Sequence, residues 1–232
     1  MLEIGCGQGS FGVRLSQRYR YVGVDLDEVS LARARARFES ARSSGELRLG
    51  DLSVVEADEV FDLVCGFEVL EHIDDDRGAV EAWSAHVRPG GWLMLSTPAW
   101  AGRFDAWDEM AGHYRRYDPE TMVALLTEAG LVDARAVPFG GPAGFGLEAV
   151  RNALGSRRGA TYAGASKEER TAASGRFLRL SDGGSAVVSW ALSQPLVLSQ
   201  RLFDGRGPNL LSLAKQPLSA EAAAPGPDSA TR

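Results

Sequence analysis

Residues 1–11, MLEIGCGQGSF, decide the fold of this chain. Four residues with strand character run into a loop that has glycine at positions 5, 7 and 9, and a helical pattern starts near Phe11. Glycine lets the backbone approach a ligand closely, and the N-terminus of the following helix adds partial positive charge. The stretch therefore predicts a strand, a ligand-binding glycine loop and a helix.

Outside this stretch, short apolar segments alternate with helical patterns, which is typical of an α/β fold with a parallel sheet. Strands are predicted at 1–4, 21–24, 46–49, 61–66, 92–96, 132–137 and 209–214. Helices are predicted at 11–18, at 28–40 with Asp27 as N-cap, after Asp75 or Asp76, and from Pro119 to Gly130. For the third of these helices, the spacing predicts an apolar face of Ala79, Val80, Trp83 and Val87.

The segment between the sixth and seventh predicted strands is long. Residues 138–208 contain a short predicted helix at 147–154, a polar stretch at 155–176 and an apolar stretch at 186–198. A structureless loop of this length would be unusual, so we expect an inserted helical cap. The predicted core is then 1–137 with 209–218, and the Ala/Pro/Gly-rich tail at 219–232 is expected to be disordered.

The apolar stretch at 186–198 needs separate consideration because apolar segments can enter membranes. A helix that spans a bilayer needs about 20 apolar residues. Here Ser189, Ser193, Gln194 and Pro195 interrupt the run. We therefore expect a buried or lid helix, and an interfacial membrane contact or a span is the less favoured alternative.

Charge and cysteine content restrict the class of protein. The 232 residues carry 25 Lys and Arg against 31 Asp and Glu, a net charge of −6. A nucleic-acid binder usually has a basic balance or a basic stripe, so we expect no nucleic-acid partner. Two cysteines cannot form a disulfide scaffold, and Cys6 and Cys65 are expected to be small buried residues. Because no signal peptide is visible at the start, we expect a cytoplasmic protein, and the sequence leaves a homodimer open.

Three acidic residues lie in or directly after successive predicted strands. Glu3 precedes the glycine loop and could attract a ligand ammonium; Asp25 could accept hydrogen bonds from two ribose hydroxyls, and Asp51 could accept one from an adenine amino group. Each aspartate could instead cap a helix or stabilise a turn. A ligand with an amine, a ribose and an adenine would use all three. The nicotinamide fingerprint G-x-G-x-x-G is incomplete here, because Ser10 stands where its last glycine would fall.

Four segments in order resemble the motifs of class I S-adenosylmethionine-dependent methyltransferases, most closely the ubiquinone/menaquinone-type and small-molecule group. They are LEIGCGQGSFG (2–12), YVGVDLDEVSLARARA (21–36), FDLVCGFEVLEHIDDD (61–76) and HVRPGGWLMLSTPAW (86–100). The resemblance implies a Rossmann-like seven-stranded sheet in the order 3-2-1-4-5-7-6, with the last strand antiparallel. It also implies S-adenosyl-L-methionine as cofactor and methyl transfer by direct displacement.

The resemblance assigns the cofactor contacts. The implied cofactor-binding residues are Glu3, Gly5, Gly7, Gly9, Asp25, Leu26, Asp51, Leu52 and Phe67. The glycines would surround the methionine part, Asp25 would bind the ribose, Leu26 would pack on the adenine, and Phe67 would lie beside the sulfonium. The family normally has a helical segment before the first strand. Because this chain starts within that strand, we expect either an upstream segment or the inserted cap to cover the cofactor.

The residues that could bind the acceptor have less specific sequence signals than the cofactor residues. His72, within Glu-His at 71–72, could be a general base or could pack and hydrogen-bond. The segment 112–117 contains His113, Tyr114, Arg115 and Arg116, which could bind an anionic or aromatic acceptor or could simply lead into the next helix. Trp190 and the other apolar residues of the inserted cap favour a small hydrophobic or aromatic acceptor.

The sequence predicts no metal site and leaves two other functions open. No histidine has metal-ligand spacing to a cysteine or a carboxylate, so no metal is predicted. A non-catalytic or truncated S-adenosylmethionine-binding protein is the main alternative, and a nicotinamide-dependent reductase is a weaker one.

Overall fold

A computed structural model of the protein describes residues 1–158 and 205–218. The strands are β1 (Leu2–Ile4), β2 (Val22–Asp25), β3 (Glu46–Leu49), β4 (Phe61–Phe67), β5 (Val87–Pro98), β6 (Val132–Phe139) and β7 (Asn209–Lys215). The helices are α1 (Gly12–Ser16), α2 (Glu28–Ser40), α3 (Asp76–Ala85), α4 (Ala106–Ala111), α5 (Pro119–Glu128) and α6 (Gly141–Arg158).

The seven strands form one sheet in the order β3-β2-β1-β4-β5-β7-β6, which confirms the predicted order. The pairs from β3 to β5 are parallel, and β7 runs antiparallel to both of its neighbours. β1 lies in the middle of the sheet, and all three of its residues are buried. The chain leaves β1 toward β2 on one side and later returns to β4 on the other, so the strand order reverses between β1 and β4. Open α/β sheets bind ligands in the crevice at such a point.

Local signals account for several element boundaries. Asp27 accepts a hydrogen bond from the Val29 N–H and begins α2, and Asp75 accepts one from the Gly78 N–H and begins α3. Pro119 stands in the first turn of α5, and Gly130, at φ +84°, follows that helix. These helix boundaries lie where the sequence predicted them, because each boundary depends on one or two neighbouring residues.

The structure corrects three local predictions. Val87 does not belong to α3: the helix ends at Ala85, and Val87 begins β5 by pairing with Phe61. The register then shifts so that Trp92 pairs with Leu63, and the Pro-Gly-Gly stretch lies within an irregular part of the strand. The short helix predicted at 147–154 is part of the longer α6. The short helix α4 was not predicted at all.

The hydrophobic core fills the space between the sheet and its helices. Leu2, Val64, Leu93 and Leu210 come from four different strands and are 0% exposed. Cys6 and Cys65 are both buried and form no disulfide, and burial raises the pKa of the Cys6 thiol to about 12. Within residues 1–158 and 205–218, no helix has the length and apolar content needed to cross a membrane. The apolar stretch at 186–198, Trp190 and the tail at 219–232 lie outside the described residues.

Candidate active site

A cavity of about 1270 Å³ opens at the carboxyl ends of β1, β2 and β4. It begins at the glycine loop and continues past the end of β4 to α4, the segment before α5, and α6. Ligand pockets commonly have volumes of about 300–1,000 Å³. The cavity is therefore large enough for two molecules side by side, and its two ends have different chemistry.

The glycine loop and Asp25 form one end of the cavity. Gly5 and Gly7 both line it and have φ angles of +68° and +53°, a conformation that favours glycine. The Asp25 Oδ2 atom accepts a 2.7 Å hydrogen bond from the Gly7 N–H, and Oδ1 accepts a 2.8 Å bond from the Asp27 N–H. An ionised carboxylate has about four lone-pair positions. Asp25 therefore holds the loop in place and keeps acceptor capacity toward the cavity.

Three further predicted cofactor residues line the same end: Leu26, Asp51 and Leu52. Leu26 is 76% exposed and offers apolar surface to the cavity that it lines. The Asp51 Oδ1 atom accepts a 2.9 Å hydrogen bond from the Ser53 N–H, and hydrogen bonding to Ser53 lowers the pKa of the carboxyl. The carboxylate thus stays ionised and able to accept a further hydrogen bond.

The middle of the cavity is aromatic. Phe67 ends β4, and its ring lies 5.3 Å from that of Phe11, centroid to centroid. Both side chains line the cavity. Glu68 follows with an unusual φ of +57°, and its carboxylate accepts a 2.9 Å hydrogen bond from the Ser96 hydroxyl.

Two predicted cofactor residues occupy different positions. Glu3 and Gly9 are not among the described residues that line the cavity. Glu3 is 3% exposed, and its Oε2 accepts a 2.6 Å hydrogen bond from the Tyr21 hydroxyl. At Gly9, a Cβ atom would lie 3.0 Å from the Ala34 Cβ. In this geometry Glu3 lies beneath the loop against Tyr21, and Gly9 is the point at which the loop packs against α2.

The other end of the cavity contains a buried network of charged side chains. The Arg116 Nε donates a 2.7 Å hydrogen bond to Asp108 Oδ2, and the guanidinium also contacts Glu148 of α6. The second Asp108 oxygen lies 2.7 Å from His113 Nδ1. Burial alone would raise the pKa of the Asp108 carboxyl, but hydrogen bonds from His113 and Arg116 outweigh it and lower that pKa. Asp108 is therefore a carboxylate that orients the His113 ring.

Glu71 and His72 lie against this network. Both line the cavity, and the Glu71 side chain is 0% exposed. Burial raises the pKa of the Glu71 carboxyl well above its ordinary value. Burial and the neighbouring His113 lower the pKa of His72 to about 3, so the His72 ring is neutral at pH 7. The two imidazole rings meet edge to face, with centroids 4.6 Å apart.

The predicted acceptor residues divide into three groups. Tyr114 and Arg116 line the cavity, although much of the hydrogen-bonding capacity of Arg116 is used by Asp108 and Glu148. Arg115 is not among the described lining residues and pairs with Asp76 at 2.7 Å. Trp190 lies outside the described residues, so its predicted role is not tested by the structure.

Comparison with known proteins identifies the family. A family described as "Methyltransferase domain" matches residues 1–135, which is more than half of the chain. The chain belongs to this methyltransferase family. The resemblance seen in the four sequence motifs is thereby confirmed.

Individual relatives support the same assignment. The chain is 37% identical over 101 residues to a ubiquinone biosynthesis O-methyltransferase of Leptothrix cholodnii, covering 42% of this chain and 43% of that protein. It is 32% identical over 151 residues to a Mycobacterium tuberculosis protein named "Probable S-adenosylmethionine-dependent methyltransferase". This match covers 61% of this chain and 52% of that protein. The chain thus spans about half the length of the curated relatives it matches.

A solved structure shows the same fold. The Haemonchus contortus phosphoethanolamine N-methyltransferase 2, in complex with S-adenosyl-L-methionine, superposes with a TM-score of 0.58 at 18% identity. The match covers 94% of this chain and 48% of that chain. At this identity the likeness concerns the fold.

Part of the candidate site could not be predicted from the sequence. In the sequence, Glu71 stands out only as the neighbour of His72, and no local pattern marks this glutamate as buried. Asp105 and Asp108 form a capping box at the start of α4. This local pattern accounts for Asp108 as a helix-capping residue and does not indicate its contact with Arg116. Nothing in the sequence links Glu148 to Arg116, which stands 32 positions earlier.

Proposed function

We propose that this methyltransferase binds S-adenosyl-L-methionine at the glycine-loop end of the cavity and transfers its methyl group to a small acceptor at the other end. The observation that carries the proposal is the continuity of the cavity from Gly5 and Asp25 to His113 and α6. Donor and acceptor can then lie in contact within one enclosure. Because the methyl carbon of a sulfonium is already activated, alignment and exclusion of water supply most of the catalysis.

The donor end has a group for each part of the cofactor. The backbone at Gly5 and Gly7 leaves room for the methionine part, and the remaining acceptor capacity of Asp25 suits the two ribose hydroxyls. Leu26 and Leu52 offer apolar surface to the adenine, while Asp51 accepts from its amino group. Phe67 lies where β4 ends, between the two ends of the cavity, and packs beside the sulfonium. The Glu3 carboxylate, predicted as a ligand for the ammonium group, would instead support the loop from beneath, where it accepts the hydrogen bond from Tyr21.

The acceptor end favours a small molecule with apolar or aromatic surface. Trp107, Phe139 and Leu147 line it together with Tyr114. His72 and His113 are the polar groups proposed to act on the reacting atom of the acceptor. The inserted cap, including Trp190, would cover this end, and α6 is its described part. A cytoplasmic location also belongs to the proposal and is supported by the two thiols, Cys6 and Cys65, that form no disulfide.

Titration calorimetry with S-adenosylhomocysteine and with NAD tests the cofactor assignment. Asp25 could bind the ribose of either molecule, so the comparison is decisive. We expect binding of S-adenosylhomocysteine and no measurable heat with NAD at the same concentrations. Tight NAD binding would overturn the proposal in favour of a reductase.

Methyl transfer itself separates an enzyme from a binding protein. The protein is incubated with methyl-labelled S-adenosylmethionine and a panel of small phenols, catechols and amines. We expect label in an extracted product from at least one class. Retention of intact cofactor with no product from any class would support the non-catalytic alternative.

A further inference from the structure

Two arginines, Arg116 and Arg151, are among the described residues that line the cavity. The guanidinium of Arg116 is occupied, because it hydrogen-bonds to Asp108 and Glu148. The guanidinium of Arg151 forms no ion pair and no hydrogen bond with another residue in 1–158 and 205–218, and its Nε–H is buried. Buried polar groups are almost always hydrogen-bonded, so a cation of this kind calls for a partner that the cavity can admit.

Arg151 belongs to the face of α6 that is turned toward the cavity. Leu147 and Glu148, which precede it by four and three positions, line the cavity as well. The Cζ atom of Arg151 lies over the ring of Trp107, 5.8 Å from its centroid. An arginine stacked on an aromatic ring keeps the N–H groups in its own plane available for a ligand.

The two helices that carry Arg151 and Trp107 are tied together beside this contact. The Asp105 Oδ1 atom accepts a 2.9 Å hydrogen bond from the Trp107 backbone N–H at the start of α4. The Asn152 side chain, next to Arg151 on α6, donates a hydrogen bond to the other Asp105 oxygen. Arg151 and Trp107 are therefore positioned before a ligand enters, which lowers the entropic cost of binding one.

The charges around Arg151 leave it without a counter-ion. Glu68 and Glu148 attract it electrostatically, but neither forms an ion pair with it. Glu148 is paired with Arg103 and Arg116, and Glu68 accepts a hydrogen bond from the Ser96 hydroxyl. Burial lowers the pKa of the Arg151 guanidinium, yet an arginine stays charged in proteins. A partly desolvated positive charge at the wall of a cavity is a place where an anion is stabilised.

We propose that Arg151 binds a carboxylate group of the acceptor, so that the acceptor is a small carboxylic acid with an apolar or aromatic body. This inference rests on the proposed function and specifies the substrate class of the acceptor end. Guanidinium and carboxylate are both planar, and two parallel N–H···O bonds between them give strength and a fixed orientation. Trp107 and Leu147, which line the cavity beside Arg151, would contact the body of the molecule.

The local charge balance favours a carboxylate over a phosphate. Arg151 is a single cation, and no lysine is among the described residues that line the cavity. A phosphate monoester carries about 1.5 to 2 negative charges at pH 7. The carboxylates of Glu68 and Glu148 would repel such a group more strongly than a singly charged anion.

The methyl donor has a carboxylate of its own in its methionine part. We place that part at Gly5 and Gly7, whereas Arg151 lies on α6 at the other end of the cavity. The free guanidinium is therefore assigned to the acceptor. The experiment must separate these two sources of a carboxylate.

Binding of simple aromatic acids tests the proposal without requiring activity. The full chain, saturated with S-adenosylhomocysteine, is titrated with benzoate and phenylacetate and with their neutral amides, benzamide and phenylacetamide. Saturation-transfer NMR on the ligand gives each affinity. We expect at least one acid to bind about 10-fold or more tightly than its amide, because only the acid forms charge-assisted hydrogen bonds. If neither acid were preferred over its amide, the proposal would be overturned.

Variants assign the preference to Arg151. Arg151→Met keeps a long apolar side chain and removes the charge, so it should weaken binding of the preferred acid by about 10- to 150-fold and leave that of the amide nearly unchanged. Arg35→Met is the matched control, because Arg35 is a helical arginine that pairs with Glu28 outside the cavity. Retention of the acid preference in Arg151→Met would overturn the assignment.

Phenyl phosphate tests the other class of anion. We expect it to bind the wild-type protein no more tightly than the preferred acid. Tighter binding of phenyl phosphate that is lost in Arg151→Met would replace the carboxylate by a phosphate and overturn the proposed class.

Parallel calorimetry with S-adenosylhomocysteine keeps the two proposals separate. Wild type and Arg151→Met should bind it with similar affinity, which also shows that the variant is folded. A loss of this affinity at an unchanged melting temperature would assign Arg151 to the donor and overturn the inference. If the wild-type protein bound no S-adenosylhomocysteine, the proposed function would fail, and an acid preference measured without it would leave the carboxylate site standing.

Discussion

The Tyr21 hydroxyl donates a 2.6 Å hydrogen bond to the Glu3 carboxylate beneath the glycine loop. This contact joins the central strand β1 to the residue just before β2, and both side chains are buried. Burial raises the pKa of Glu3 from its ordinary value near 4.5 to about 7, although the hydrogen bond from Tyr21 opposes the rise. The free energy of unfolding is therefore expected to depend on pH through Glu3, which lies beneath the glycine loop.

The first prediction is a loss of stability between pH 5 and pH 8 that depends on Glu3. The folded state binds the Glu3 proton more tightly than the unfolded state, so stability falls as pH rises from about 4.5 through about 7. The loss is on the order of 3 kcal/mol at pH 8. Glu3→Gln has no such proton, so its free energy of unfolding should decline less over this range. Urea unfolding at pH 5, 6, 7 and 8 measures the difference.

Tyr21→Phe provides the control for this prediction. It removes the hydrogen bond to Glu3 and leaves the ring in place, so it should destabilise the protein most at high pH, by about 1–3 kcal/mol. If wild type and Glu3→Gln showed parallel pH profiles, Glu3 would not titrate in this range.

The second prediction compares two glycines of the loop. Gly7 and Gly9 both have positive φ angles, +53° and +71°, so alanine at either position carries about 1–2 kcal/mol of backbone strain. A Cβ atom at Gly7 meets nothing within 4 Å, whereas one at Gly9 lies 3.0 Å from Ala34 and 3.1 Å from Phe38. Gly9→Ala should therefore be less stable than Gly7→Ala by about 1–3 kcal/mol. Thermal melting of both variants tests this, and equal melting temperatures would show that α2 moves aside freely.

The sequence predicted the sheet well because each strand has a local signal. Short runs ended by Gly, Asp or Glu mark β1 to β4; three of them are largely apolar, and β3 alternates charged residues with leucine. The observed bounds differ from the predicted ones by one residue or less. The irregular start of β5 was misread, because a Pro-Gly-Gly stretch after a helical pattern is a normal helix stop. Only the pairing of Val87 with Phe61 shows that the strand begins earlier.

The two ends of the cavity differed in how far the sequence could predict them. Asp25 ends β2 and Leu26 follows it, while Asp51 and Leu52 come shortly after β3, so all four could be placed in the site by counting along the chain. The acceptor end is assembled from three segments, around residues 71, 108–116 and 148, that meet only in the folded protein. Spacing along the chain could not bring Glu71 to His113, or Glu148 to Arg116.

The third prediction concerns Asp25. Its carboxylate accepts hydrogen bonds from the Gly7 and Asp27 N–H groups and is proposed to accept from the ribose hydroxyls as well. Asp25→Ala should weaken binding of S-adenosylhomocysteine by about 10- to 150-fold, or about 1.5–3 kcal/mol. Calorimetry measures the affinity. Unchanged affinity would mean that Asp25 only holds the loop.

The last prediction compares two adjacent arginines that form very different ion pairs. Arg116 is 6% exposed and is bound by Asp108 and Glu148, which are 0% and 6% exposed. Removing one partner of a buried pair leaves uncompensated charge and typically costs about 3–5 kcal/mol. Arg116→Met should therefore lose about that much stability, because two buried carboxylates would remain without their shared cation.

Arg115→Met is the matched control. The Arg115 side chain is 32% exposed and pairs with Asp76 and Asp74 near the surface. Such pairs contribute about 0–1 kcal/mol, so the change in stability should be small. Urea unfolding of both variants at one pH, with equal m-values as the check on two-state behaviour, gives the comparison. If Arg116→Met cost no more than Arg115→Met, the network at the acceptor end would not hold α4 to α6, and Asp108 would keep His113 in place without help from Arg116.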